Sequence, residues 1–223
     1  MRIVIAGGHG QIALFLGELL AQAGHQPQGL IRKPEQQADL LERGIEPVLL
    51  DLENVSTERL GSVLSGADAA VFAAGAGPNS GAARKDTVDR AGAVRLAEAA
   101  EAAGVRRYVQ ISSMGVETVR DGVKPEGMDE EFHAYLVAKL AAEEDLRART
   151  QLAWTILRPG RLTDQDATGR VLLAASTPRG EVPRADVAAV VAELLSSGAD
   201  GGQVLELISG DTLIGAAVAS LGN

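Results

Sequence analysis

Short aliphatic runs alternate along the chain with longer stretches whose apolar positions recur every three or four residues. Residues 3–6 form an apolar run stopped by Gly7-Gly8-His9-Gly10, and residues 12–23 then carry apolar side chains at helical spacing until Gly24. The same alternation predicts a strand over 28–32, a short helix over 35–43, a strand over 47–51, a helix opened by Ser56 and a fully apolar strand over 69–74. A glycine-rich loop over 75–82 precedes a long alanine-rich helix over 84–103, closed by Gly104. A fifth strand over 108–112, a polar loop, a helix capped by Asp129 and running to about residue 149, and a sixth strand over 153–157 broken by Pro159-Gly160 follow. Beyond lie a short apolar piece at 171–174, a helix over 184–195, a strand over 204–208 and a terminal helix over 212–221.

Strands and helices alternating over short connections imply a parallel sheet covered on both faces. The length of 223 residues suits one domain. Hydrophobic residues make up 46% and aromatics only 3%, so small and branched aliphatic side chains must fill the core. A net charge of −9 argues against nucleic acid or an anionic membrane as partner, since both demand clustered positive charge. With no cysteine, and with His9, His25 and His133 at no metal-binding spacing, no metal site is expected. The chain enters a strand at once and no stretch approaches the roughly 20 apolar residues of a membrane span, so a cytoplasmic protein is expected.

Two features carry candidate chemistry. Gly7, Gly10 and Ala13 hold the small positions of a glycine-rich turn between a strand and a helix, where backbone can approach a pyrophosphate and helix amides can face it. The spacing differs from the commoner Gly-x-Gly-x-x-Gly, and an ordinary tight turn is the alternative. His9 would contribute its amide alone, and the amides of Gln11 and Ile12 open the helix. Where many such folds place an acid at the end of the second strand, this chain has Arg32 and Lys33, which favours a 2′-phosphate and hence NADP over NAD; the alternative is two solvated charges at a strand end, which leaves NAD open. Asp51 and Leu52 would lie beside the adenine, and Ala73, Ala74 and Gly75 would offer backbone to the other side of the cofactor.

The second feature is Tyr135 and Lys139, four residues apart on one helix face, a spacing at which an ammonium can stabilise a phenolate. Ser113 precedes them at the carboxyl end of a predicted strand, where open α/β sheets bind their ligands. The alternative is an amphipathic helix whose Tyr135 packs on the sheet while Lys139 reaches solvent.

With the Gly7 to Ala13 turn, Leu30-Ile31-Arg32, Asp51-Leu52, Ala73-Ala74-Gly75, Ile111-Ser112-Ser113, Tyr135 through Lys139 and Leu157-Arg158-Pro159-Gly160, nearly the whole chain resembles the short-chain dehydrogenase/reductase superfamily. It most resembles the compact NAD(P)-binding branch that is epimerase- or dehydratase-like and akin to flavin and biliverdin reductases. The resemblance implies a Rossmann-type doubly wound α/β fold in a single NAD(P)-binding domain over 1–223, with 160–223 forming a small substrate-side portion. It gives Tyr135 the role of proton donor or acceptor at a substrate oxygen. Lys139 would assist that transfer and hold the nicotinamide ribose, Ser113 would bond the same oxygen, and Pro159 would border the nicotinamide.

Two departures stand out. The asparagine that conventional members carry on the helix after strand four is missing, with Asp89 nearest its place, and only 63 residues follow Gly160, where members acting on nucleotide sugars usually carry a large substrate domain, so a big sugar nucleotide is not expected as substrate. The expected activity is therefore NADP-dependent hydride transfer on a small carbonyl or alcohol. Alternatives are an NAD(P)-dependent epimerase or dehydratase, a non-catalytic NAD(P) sensor, and reduction of a flavin or quinone. Residues 161–179 are either a flap over the substrate or a surface connection. The alanine-rich helix leaves a homodimer open, although core packing explains its composition equally.

Overall fold

Ile3, Val4, Ile5 and Ala6 are all fully buried because β1 (Arg2–Ala6) runs through the middle of the sheet, and only a strand covered on both faces buries consecutive residues. The computed structural model describes residues 1–198 and 201–222. From β1 the chain passes into α1 (Gln11–Gln22), β2 (Gln26–Ile31), α2 (Gln37–Leu41), β3 (Glu46–Leu49), α3 (Thr57–Leu64) and β4 (Ala69–Phe72). A continuous helical stretch follows, made of α4 (Ala82–Arg84), a π-helical turn (Lys85–Arg90) and α5 (Ala91–Ala102). Then come β5 (Arg107–Ile111), α6 (Glu130–Arg147), β6 (Ala153–Pro159), β7 (Arg161–Thr163), β8 (Arg170–Ala174) and β9 (Glu181–Pro183). The chain closes with α7 (Arg184–Ser197), β10 (Gln203–Ser209), β11 (Thr212–Leu213) and α8 (Ile214–Ala219).

The main sheet has the order β11-β8-β10-β6-β5-β4-β1-β2-β3, with every neighbouring pair from β10 to β3 parallel and β8 antiparallel to β10. This is the expected Rossmann-type doubly wound fold. Its strand order reverses between β1 and β4, so the carboxyl ends of those two strands open a crevice.

Period-two alternation sends Ile3 and Ile5 to one face and Val4 and Ala6 to the other. On the first face Leu16 and Leu20 of α1 and Val187, Val190 and Val191 of α7 pack over the sheet. On the second, Leu60 and Leu64 of α3, Ala93, Leu96, Ala97 and Ala100 of α5 and Leu146 of α6 pack on Phe72, Tyr108 and Ile156. Ala93, Ala97, Ala99 and Ala100 of α5 thus face the core, where small side chains bring the helix close to the sheet. Each fully buried valine or leucine contributes roughly 1.5–3 kcal/mol.

Caps fix the helix starts that matter for the site. Ser56 Oγ accepts from the Arg59 amide at 3.2 Å, and the Asp129 carboxylate accepts from the amides of Glu131 and Phe132 at 2.9 and 3.0 Å.

Three expectations are corrected. The sixth strand runs through Pro159, because at that register the sheet needs only its carbonyl, which accepts from Met114 N at 3.0 Å, while Gly160 N donates to Leu207 O at 2.9 Å. Residues 161–179 are neither flap nor simple surface connection: β7 pairs with β9 in a small second sheet and β8 joins the main one. The buried Asp186 pins the loop between β7 and β8, accepting from Thr168 N, Thr168 Oγ1 and Gly169 N at 3.0, 2.8 and 2.9 Å. Thr212 and Leu213 pair with β8 rather than begin the last helix.

Candidate active site

The crevice between β1 and β4 is a cleft. It is lined by Gly7, His9 and Gly10 from the first turn, Leu30, Ile31 and Arg32 from the end of β2, residues 50–53 after β3, residues 73–76 after β4, and Gln36, Arg84 and Val88. Gly7 has φ of 78°, and a Cβ on it would lie 2.6 Å from the Cα of Ala74, so only glycine lets the two loops meet. Gly10 has no side chain to cap α1; its own amide bonds Gly7 O at 2.8 Å. The amides of Gln11, Ile12 and Ala13 therefore start the helix without intrahelical acceptors, an arrangement that suits a pyrophosphate. His9 Nε2 lies 2.7 Å from Asp39 Oδ2, so its ring is engaged by α2. A dinucleotide fits these residues: free amides and a glycine cradle at the crevice, apolar Leu52 and Val88 in the wall, and two arginines at its outer end.

Beside the cleft, α6 presents Tyr135, Lys139 and Glu143, spaced by four, along one stripe. Lys139 is only 3% exposed, which rules out the reading in which it reaches solvent. Its Nζ donates to Ala74 O at 3.3 Å and Ile111 O at 3.2 Å and lies 3.3 Å from Asp89 Oδ1. An ammonium has three N–H bonds, and these three oxygens surround it. Asp89, fully buried, turns its other oxygen to the amide of Ala76 at 3.0 Å. Lys139 thereby ties the carboxyl ends of β4 and β5 to the π-helical turn. Asp89, the residue nearest the missing asparagine, meets this lysine directly.

A second lysine faces the same tyrosine. Lys85, on the π-helical turn and 6% exposed, donates to Gly77 O at 2.5 Å and lies 3.3 Å from Glu131 Oε1. Its Nζ is 5.6 Å from the Tyr135 ring centroid, and Lys139 Nζ is 5.7 Å from it. Phe132 stacks on the tyrosine with centroids 6.0 Å apart. Tyr135 is thus a half-buried phenol with two ammonium groups close to its ring. Glu131 also accepts from Ser80 N at 3.0 Å, so the loop after β4 is held against α6.

The chain belongs to the NAD(P)H-binding family. It matches that family over residues 7–198. It is 34% identical to the uncharacterized sugar epimerase YhfK of Bacillus subtilis (strain 168), over 99% of this chain and 100% of that one. Among solved structures it resembles a Bacillus halodurans protein named as a candidate NAD-dependent epimerase/dehydratase, with 35% identity, 99% of each chain covered and a TM-score of 0.87. It also resembles the oxidoreductase ylbE of Lactococcus lactis, with 29% identity, 99% and 96% coverage and a TM-score of 0.82. The resemblance carried by the motifs, to a compact NAD(P)-binding branch, is the one the comparisons show.

Within this NAD(P)H-binding fold the expected residues fall into two groups. Gly7, His9, Gly10, Arg32, Asp51, Leu52, Ala73, Ala74 and Gly75 line the cleft together. Lys33 instead lies 3.9 Å from Glu35, more than half exposed, and Gln11, Ile12, Lys139 and Pro159 are not in the cleft wall. Ser113 Oγ donates to Met114 O at 3.1 Å, and none of the hydrogen bonds among the described residues joins it to Tyr135.

Sequence reasoning missed Lys85, Glu53, Arg84 and a buried ionic strut beneath Ser112. In that strut Glu143, fully buried, accepts from Ser112 Oγ at 2.6 Å and from Arg158 Nε at 2.9 Å, and Arg158 continues to Glu117 at 2.6 Å. It fastens the ends of β5 and β6, which carry Ser113 and Pro159, to α6. The position of Glu143, one further step of four along the Tyr135 stripe, was a readable signal.

Proposed function

We propose that this NAD(P)H-binding protein is an NADP-dependent oxidoreductase acting on a small carbonyl or alcohol, with Tyr135 moving the proton. The observation that carries the reading is the half-buried Tyr135 with Lys85 and Lys139 both close to its ring, beside a cleft shaped for a dinucleotide. When bound, the nicotinamide supplies or accepts the hydride. In the reducing direction the Tyr135 hydroxyl gives its proton to the substrate oxygen as that oxygen gains charge, and the two ammonium groups stabilise the phenolate left behind. Solvent then returns the proton. Ser113 would bond the same oxygen. Arg32 in the cleft wall supports NADP over NAD. Beyond Gly160, β8, β10 and β11 extend the main sheet and β7 pairs with β9 in a two-stranded one, which leaves little chain in this stretch to enclose a large substrate and supports a small one.

Tyr135→Phe should lower NADPH-dependent turnover across a panel of small aldehydes and ketones by about 10²–10⁴-fold while leaving NADPH binding unchanged. Unchanged turnover would sink the mechanism. The names of the relatives favour a second reading, an epimerase or dehydratase in which the hydride returns to the same substrate. That enzyme would need Tyr135 equally but would show no net NADPH consumption.

A further inference from the structure

Three residues from separate parts of the chain converge at the outer end of the cleft. Arg32 follows β2, Glu53 follows β3, and Arg84 ends α4; all three line the same wall. Arg84 Nη2 donates to Glu53 Oε2 at 2.9 Å, and Arg32 Nη1 lies 3.7 Å from that same oxygen. The other carboxylate oxygen, Oε1, accepts from Thr87 Oγ1 at 2.6 Å. Glu53 is held from behind as well, since its amide donates to Asp51 Oδ1 at 3.0 Å. The Thr87 hydroxyl and the Arg84 guanidinium keep the Glu53 carboxyl below its usual range, so it stays ionised.

Two guanidinium groups thus converge on one oxyanion. Guanidinium is the group best matched to phosphate, and two of them aimed at a single oxygen form a clamp that a phosphate can take over. We propose that Arg84 is a second phosphate-binding residue, that with Arg32 it selects a 2′-phosphorylated dinucleotide, and that Glu53 fills the clamp as an internal stand-in for the phosphate. This inference rests on the cofactor reading above. Glu53 keeps Thr87 as its partner when the arginines turn to the ligand, so the carboxylate stays hydrogen-bonded but still repels an incoming dianion. It therefore tempers affinity for the phosphorylated cofactor while the two arginines supply selectivity.

The test is calorimetric binding of NADPH, NADH, 2′,5′-ADP and 5′-AMP to the full chain. Arg84→Leu should weaken NADPH and 2′,5′-ADP by about 10- to 100-fold and leave NADH and 5′-AMP within about twofold. Arg84→Lys should restore part of the loss, because it returns the charge without the fork. Glu53→Gln, which keeps a partner for Thr87, should tighten NADPH and leave NADH unchanged. The unliganded melting temperature is measured alongside, and Arg84 is accessible enough that its loss should move it little.

Equal weakening of all four ligands in Arg84→Leu, or no weakening, would overturn the inference. So would a tenfold loss of NADH in Glu53→Gln, which would make Glu53 the acceptor for the ribose hydroxyls and the cleft an NAD site. Wild-type protein that prefers NADPH but keeps that preference in Arg84→Leu refutes the clamp alone, whereas wild-type protein that binds both dinucleotides equally refutes the preference for NADP with it and leaves only dinucleotide binding. Binding of neither removes that as well.

Discussion

Lys139→Met isolates how much of the lysine's role is structural. The side chain is 4% exposed and its partner Asp89 is fully buried, so removing the ammonium leaves a carboxylate with no compensating charge in a site that water barely reaches. Ala74 O and Ile111 O lose their donor at the same time. Breaking one side of a buried ion pair costs about 3–5 kcal/mol. For a chain of this size that corresponds to a fall in melting temperature of roughly 6–20 °C, at about 2–4 °C per kcal/mol. Pairing the change with Asp89→Asn removes the orphaned charge, so the double variant should be more stable than Lys139→Met alone, and a double-mutant cycle in urea gives the coupling. Any loss of turnover in Lys139→Met would then be read against that loss of fold, which Tyr135→Phe does not suffer. A Lys139→Met protein within about 1 kcal/mol of wild type, or a double variant less stable than the single, would refute the reasoning.

The first turn and the ionic strut give two further tests. Gly7→Ala meets both a φ of 78° and backbone at 2.6 Å, whereas Gly24→Ala meets a φ of 77° with open space. Gly24→Ala should therefore cost about 1–2 kcal/mol, and Gly7→Ala about 1–3 kcal/mol more, with dinucleotide binding weakened more than tenfold; equal melting temperatures and unimpaired binding would contradict the close approach. Arg120, and behind it Arg158, hold the Glu117 carboxyl at about 2 against an ordinary 4.5. A depressed folded value means that the stability from this carboxylate is fully present above about 4.5 and is lost as pH falls toward about 2. Glu117→Gln should be less stable than wild type at pH 7, and the gap in melting temperature should close on acidification; a gap independent of pH would count against the strut.

Much of the fold was legible because it rests on local signals. The apolar run at Ile3 to Ala6, the glycines that stop it and the Asp129 cap each act within a few residues, and the structure keeps them where the pattern placed them. Pro159 misled because a proline reads as a break, yet a strand end that uses only a carbonyl accommodates it. Residues 161–179 misled for a different reason. The strand character of β8 depends on β10 and β11, both far along the chain, and a strand of five residues has little pattern of its own.

The candidate site divides along the same line. Gly7, Gly10, Tyr135 and Lys139 could be found by spacing, because a strand-to-helix turn and a step of four on a helix are geometric relations written in the sequence. Arg84 meeting Glu53, and Asp89 meeting Lys139, could not, since nothing in the spacing of such residues says that they touch. The sequence alone therefore determined the alternation of elements, the aliphatic core and the dinucleotide turn, all of which follow from hydrophobic period and backbone freedom. Tertiary structure decided where the charges go: Lys139 turned inward onto Asp89, Lys85 was brought to Tyr135, and two arginines closed on Glu53. Electrostatic partners are set by distance in space, and only the folded sheet fixes those distances.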